Sequence, residues 1–164
     1  MKLSLIVIDM QKKFFEGPPQ RAQSLANAVL TINAAIALFR NNKLPIIVIE
    51  HQDAEDGLLP GTPGFATHDS INLNSSDTRI TKTYGNAFNK TPLAEALRSR
   101  GVDTIIITGF CAENCILSTC RGAKDHDFKP IILRGSLASG IAERIRFVED
   151  INEIISLEAL RAIL

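Results

Sequence analysis

Hydrophobic positions along this chain follow two alternating rhythms. Leu3 to Ile8 is an unbroken apolar run, as expected of a strand covered on both faces. Beyond a Gly17-Pro18-Pro19 turn, Leu25, Val29, Ile32, Ile36 and Phe39 recur at helical spacing and fall on one stripe, with Asn27, Asn33 and Arg40 pointing elsewhere. Asn41-Asn42 and Pro45 end that helix, and Ile46 to Ile49 read as a second buried strand. Gln52 to Asp77 is polar and punctuated by Gly57, Pro60, Gly61, Pro63 and Gly64, a long loop of the kind that usually carries function. Arg79 to Lys82 reads as a short third strand.

The second half repeats the rhythm. Thr91-Pro92 opens a helix, with a hydroxyl N-cap and Pro at the first helical position, and Gly101 supplies its left-handed terminal residue. Thr104 to Thr108 is a fourth strand. A helix is predicted from about Asn114 to Lys124, turning Ile116, Cys120 and Ala123 inward. Pro130 to Leu133 is a fifth strand, with proline at its tolerated first position. Ser139 to about Glu149 reads as helix, Ile154-Ile155 as a short sixth strand, and Ser156 as the cap of a last helix. With no repeat and no linker, residues 1–164 read as one domain. Strand–helix alternation throughout implies an α/β fold, with a parallel sheet covered by helices on both faces.

Composition narrows the function. The 18 Lys and Arg balance the 18 Asp and Glu, so nothing marks a nucleic-acid or anionic-membrane binder, and self-association is unopposed. A 45% hydrophobic, 22% charged chain is globular, and no continuous apolar run approaches a membrane span. Cys111, Cys115 and Cys120 are odd in number and clustered, and no His lies close enough for a zinc finger. Free thiols, and an N-terminus unlike a signal peptide, point to the cytoplasm.

In parallel sheets, ligands bind beyond the carboxyl ends of the strands. Asp9, Glu50, His51, Lys82 and the segment from Gly109 to Cys115 all gather at that rim. A carboxylate, an ammonium and a thiol are the parts of an activated cysteine nucleophile. Cys115 in the first turn of a helix, with Lys82 near, is expected to favour thiolate, and Asp9 can carry its proton. Main-chain N–H groups of the loop from Phe110 to Asn114 can form an oxyanion hole. Gln11, Phe14, His51 and Phe110 are expected to line the substrate pocket, with Gln11 orienting Asp9 or the substrate. Cys111 and Cys120 read as packing groups, His68 as part of a lid or oligomer contact, and His126 as a partner for a helix C-terminus.

Four segments resemble the isochorismatase-like cysteine hydrolases, which include nicotinamidases. They are Val7-Ile8-Asp9-Met10-Gln11 with Phe14; Lys82 with Asn86-Ala87-Phe88, Thr91 and Leu93; Thr108-Gly109 through Glu113 to Cys115-Ile116 and Thr119; and Ala123 with Phe128 before Ile131. The resemblance implies a Rossmann-like, three-layer αβα fold with a six-stranded, mostly parallel sheet. It further implies a catalytic triad of Asp9, Lys82 and Cys115, and a cis peptide before Cys111 that aims the Cys111 and Cys115 N–H groups at an oxyanion. The implied protein is a homodimer or homotetramer that hydrolyses a small-molecule amide or related C–N bond through a thioester; for this sequence no cofactor is expected.

The sequence also departs from the family. Its metal-using nicotinamidases carry an Asp and two His near strand two; here the region reads Glu50-His51-Gln52-Asp53, and His68 has no matched partner, so no metal is expected. Ala112 replaces a usual Thr, and Gly135 a usual acidic residue. Two other readings remain open: a metal-assisted nicotinamidase, and a catalytically idle member used for ligand binding or assembly.

Overall fold

The computed structural model describes residues 1–164. Its strands are β1 (Leu3–Ile8), β2 (Ile46–His51), β3 (Thr78–Lys82), β4 (Thr104–Phe110), β5 (Lys129–Ala138) and β6 (Ile154–Ile155). They form one six-stranded sheet in the order β3-β2-β1-β4-β5-β6, every pair parallel. The helices are α1 (Lys12–Phe15), α2 (Pro19–Asn41), α3 (Leu93–Arg98), α4 (Leu117–Asp125), α5 (Ala142–Asp150) and α6 (Leu157–Ile163).

Side chains alternate across a strand, so the apolar run of β1 serves two cores. Ile6 and Ile8 join Ile47, Ile49, Ile105 and Ile107 beneath α3, α4 and α5. Leu5 and Val7 face the other way and pack with Leu25, Ile32, Ile36 and Phe39 of α2 and Leu160 of α6. Three layers result. α2 is long and apolar enough to cross a bilayer by length and composition, but its expected stripe lies against the sheet.

Several boundaries differ from the sequence reading. α1 is an extra turn between two expected elements. Pro92, not Thr91, is the N-cap of α3; the Thr91 hydroxyl sits one residue earlier and accepts from Leu93 N–H at 3.3 Å. Gly101 does adopt φ +67, and Ser156 does cap α6. β5 extends to Ala138, because Arg134-Gly135-Ser136 forms a bulge instead of ending the strand: pairing jumps from Ile107↔Ile132 to Gly109↔Leu137. The helix expected from Asn114 becomes regular only at Leu117, because Ala112–Ile116 forms a wide π-helical turn.

The chain reverses its direction of sheet growth between β1 and β4, and their carboxyl ends flank that switch. Gly109 makes the close approach possible: at φ +117, any Cβ there would lie 2.1 Å from the Ile8 carbonyl oxygen. The Gln52–Asp77 loop lies along residues 10–13. Its Gly64 and Ala66 carbonyls accept from Lys13 and Lys12, and its His68 N–H donates to the Met10 carbonyl.

Candidate active site

Asp9 is the first residue beyond β1 and takes a left-handed φ of +52, which turns the chain away from the strand and leaves its carboxyl under the rim. Lys82 closes β3, two strands away. Its side chain crosses the end of β2 and is almost fully buried, a placement that an ammonium tolerates only with partners. It finds three: Asp9 Oδ2 at 2.8 Å, His51 Nδ1 at 3.1 Å and Cys115 Sγ at 3.4 Å. Cys115 arrives from the π-helical turn after β4 and is only partly buried. The carboxylate and ammonium therefore form a floor, and the sulfur stands above it.

Burial raises the Asp9 pKa above its ordinary value, with Lys82 acting against that rise. Burial likewise pushes the Cys115 thiol up to about 12; Asp9 adds to the rise and Lys82 opposes it. This direction runs against the expected resting thiolate. Loss of solvent and the neighbouring carboxylate both favour the protonated thiol, which then needs a base to attack. Asp9 Oδ1 is buried with no hydrogen bond of ordinary geometry, and the Cys115 thiol is the side chain close enough to interact with the carboxylate besides Lys82.

The Phe110–Cys111 peptide is cis, as the resemblance implies, and the Cys111 N–H has no acceptor within the protein. Glu113 braces this turn. Its Oε2 accepts from Cys111 Sγ at 2.9 Å and Ser139 Oγ at 2.8 Å, and its Oε1 accepts from Arg144 at 2.7 Å. In sequence Glu113 belongs to the motif without a visible role, since nothing local announces that Ser139 and Arg144 converge on it.

Other expected residues fall into different places. Phe14 and Phe110 meet at 5.0 Å between ring centroids, beside Cys111. Gln11 is fully buried and braces the main chain, donating to the carbonyls of His51 (2.9 Å) and Phe65 (2.8 Å) and accepting from His51 N–H (2.7 Å). It holds β1, β2 and the long loop together and does not line the cleft: both amide donors are taken. His51 touches Lys82, as described. His68 stacks on Phe15 with centroids 3.9 Å apart, and His126 is the C-cap of α4.

The family profile of the isochorismatase domain matches residues 4–144. The chain belongs to the isochorismatase family. This isochorismatase-family hydrolase is 27% identical to the isochorismatase family protein YddQ of Bacillus subtilis over 78% of its own length and 73% of the relative's. It is 30% identical to the maleamate amidohydrolase of Pseudomonas putida, over 47% of this chain and 36% of that one. Its fold superposes on the crystal structure of an isochorismatase-like hydrolase from Alkaliphilus metalliredigens with a TM-score of 0.90, at 20% identity, covering 99% of both chains.

Metal-using members of the family raise the question whether this rim fits a metal. It does not. Glu50 Oε1 is held by Arg79 and Thr67, each at 2.8 Å, and His68 Nδ1 by Ser70 Oγ at 2.8 Å. No three His, Cys, Asp or Glu side chains are arranged to hold a metal ion, and Asp9, His51 and Cys115 meet around the Lys82 ammonium, which occupies the space between them.

Proposed function

We propose that the chain is a cysteine hydrolase that cleaves a small amide or related C–N bond through a thioester on Cys115. One observation carries the reading: a single buried ammonium, Lys82, touches both Asp9 and Cys115. Asp9 Oδ1, the free carboxylate oxygen, takes the thiol proton as sulfur attacks the substrate carbonyl. The tetrahedral oxyanion is met by the N–H groups of Cys111 and Cys115. Asp9 then gives its proton to the departing amine, and the C–N bond breaks to leave an acyl–sulfur bond. A water enters, gives a proton to Asp9 and attacks the thioester; the C–S bond breaks, Asp9 returns the proton to sulfur, and the carboxylic acid departs. Lys82 stays cationic throughout and offsets the charge that moves between oxygen and sulfur. The maleamate amidohydrolase relative supports amide chemistry. The enzyme acts as a homodimer or homotetramer in this reading, which light scattering measures.

The test is turnover of a panel of small primary amides, with mass analysis of acid-quenched enzyme. The expected result is an acyl adduct mapped to Cys115 and no turnover by Cys115→Ala. Hydrolysis that survives in Cys115→Ala would overturn the reading.

A further inference from the structure

We infer that His51 is a positioning residue that acts through Lys82, holding the ammonium between Asp9 and Cys115. This rests on the hydrolase reading above. A lysine ammonium has three hydrogens and no lone pair, so each neighbour in hydrogen-bond range must accept. Lys82 has three such neighbours, in Asp9 Oδ2, His51 Nδ1 and Cys115 Sγ. His51 Nδ1 must therefore be the bare nitrogen, with the ring proton on Nε2.

The three acceptors differ in what they do. The Asp9 contact is the shortest, 2.8 Å against 3.4 Å for sulfur. Left to these two, the flexible four-carbon stem would let Nζ settle on the carboxylate and draw away from the sulfur. His51 supplies a counter-pull from the end of β2. Its own position is fixed by main-chain bonds to Gln11 that do not involve its side chain. Burial and Lys82 both lower the His51 pKa, while Asp9, Asp53 and Asp56 act the other way, so the acceptor form is the one present near neutral pH.

A residue that merely touched substrate would alter KM. One that sets the Lys82–Cys115 contact instead alters kcat and the reactivity of the thiol itself, whatever the substrate. The experiment compares wild type, His51→Asn and His51→Leu. Asn can place a carbonyl oxygen near the Nδ1 position; Leu fills the space, excludes water and accepts nothing. Alkylation of Cys115 by iodoacetamide is followed by peptide mass mapping at pH 8, alongside kcat and KM on the best amide of the panel.

The expected result is that His51→Leu slows both alkylation and kcat by about tenfold or more, the scale of one charge-assisted hydrogen bond, with KM little changed. His51→Asn recovers most of both rates. Should the leucine variant fail to fold, His51→Gln takes its place, since its amide reaches the Nε2 position instead. Equal alkylation in all variants, or a change in KM alone, overturns the inference. Loss of the hydrolase reading shows separately, as amide turnover that survives in Cys115→Ala, and the alkylation comparison still decides the role of His51.

Discussion

Lys82 Nζ lies 2.8 Å from Asp9 Oδ2, although β2 separates their two strands in the sheet. The side chains are only 0% and 2% exposed, so each charge depends on the other for the solvation it has lost. Lys82→Met is expected to lower the unfolding free energy by about 3–5 kcal/mol, because a buried carboxylate is left alone. Adding Asp9→Asn should return most of that stability while hydrolysis stays absent. Urea unfolding of the single and double variants measures this, and a double variant no more stable than Lys82→Met would contradict the pairing.

The three thiols differ in access more than in acidity. Burial is the first cause of a pKa pushed up to about 12 in Cys111, Cys115 and Cys120 alike, but only Cys115 is partly open. Iodoacetamide should modify Cys115 first. Its rate should climb about tenfold per pH unit through neutral pH, because the thiolate fraction of a high-pKa thiol grows in that proportion. A rate that levels off below pH 8 would mean a low-pKa thiolate and remove the need for Asp9 as base. Cys120→Ala should keep turnover and lose about 1 kcal/mol of stability, its sulfur being wholly buried under α4.

Much of this architecture is written in local pattern. Leu3–Ile8 reads directly as a strand with two covered faces, and the stripe of α2 gives its buried side residue by residue. The placing of Asp9, Lys82 and Cys115 on one rim follows from parallel topology, because each closes or follows a strand. What the pattern could not carry depends on distant partners. Arg134-Gly135-Ser136 has the composition of a turn, and only its place beside β4 keeps it in the sheet as a bulge. Gln11, two residues beyond Asp9, reads in sequence as a group that orients Asp9 or the substrate; its bonds to His51 and Phe65 come from a strand and a loop that sequence spacing does not bring close. The acidity of Cys115 is similarly hidden: the helix terminus is visible in sequence, and the burial that pushes its pKa up is not.

Glu113 offers a pH-dependent handle on the turn that bears Cys115. Partial burial pulls its pKa upward, but hydrogen bonds from Cys111, Arg144 and Ser139 outweigh it and leave the value below the ordinary 4.5. A carboxyl depressed on folding contributes stability that is fully present above its unfolded pKa and lost as pH falls through the folded one. Wild-type stability should therefore decline as pH drops below about 4.5, and Glu113→Gln should decline less over that window. At pH 7 the variant is expected to be about 1–2 kcal/mol less stable. Denaturant unfolding at pH 3.5, 4.5 and 7 tests this, and parallel curves for the two proteins would contradict it.

The donor set near β2 also makes a measurable claim. A metal bound at this rim would need carboxylate and imidazole groups free to converge, as zinc sites do. Glu50 Oε1 instead accepts from Arg79 Nη1, Thr67 Oγ1 and Thr67 N–H at 2.8, 2.8 and 3.3 Å, so a cation approaching it must displace the Arg79 guanidinium. His68 faces Phe15 and Ser70, its ring stacked and its Nδ1 engaged. Dialysis against dipicolinate should leave kcat unchanged, and added zinc should not raise it. Metal analysis of the purified protein should find far less than one zinc per chain. One tightly held zinc whose removal abolished turnover would require Glu50 to leave Arg79 and Thr67, and would favour the metal-assisted nicotinamidase reading instead.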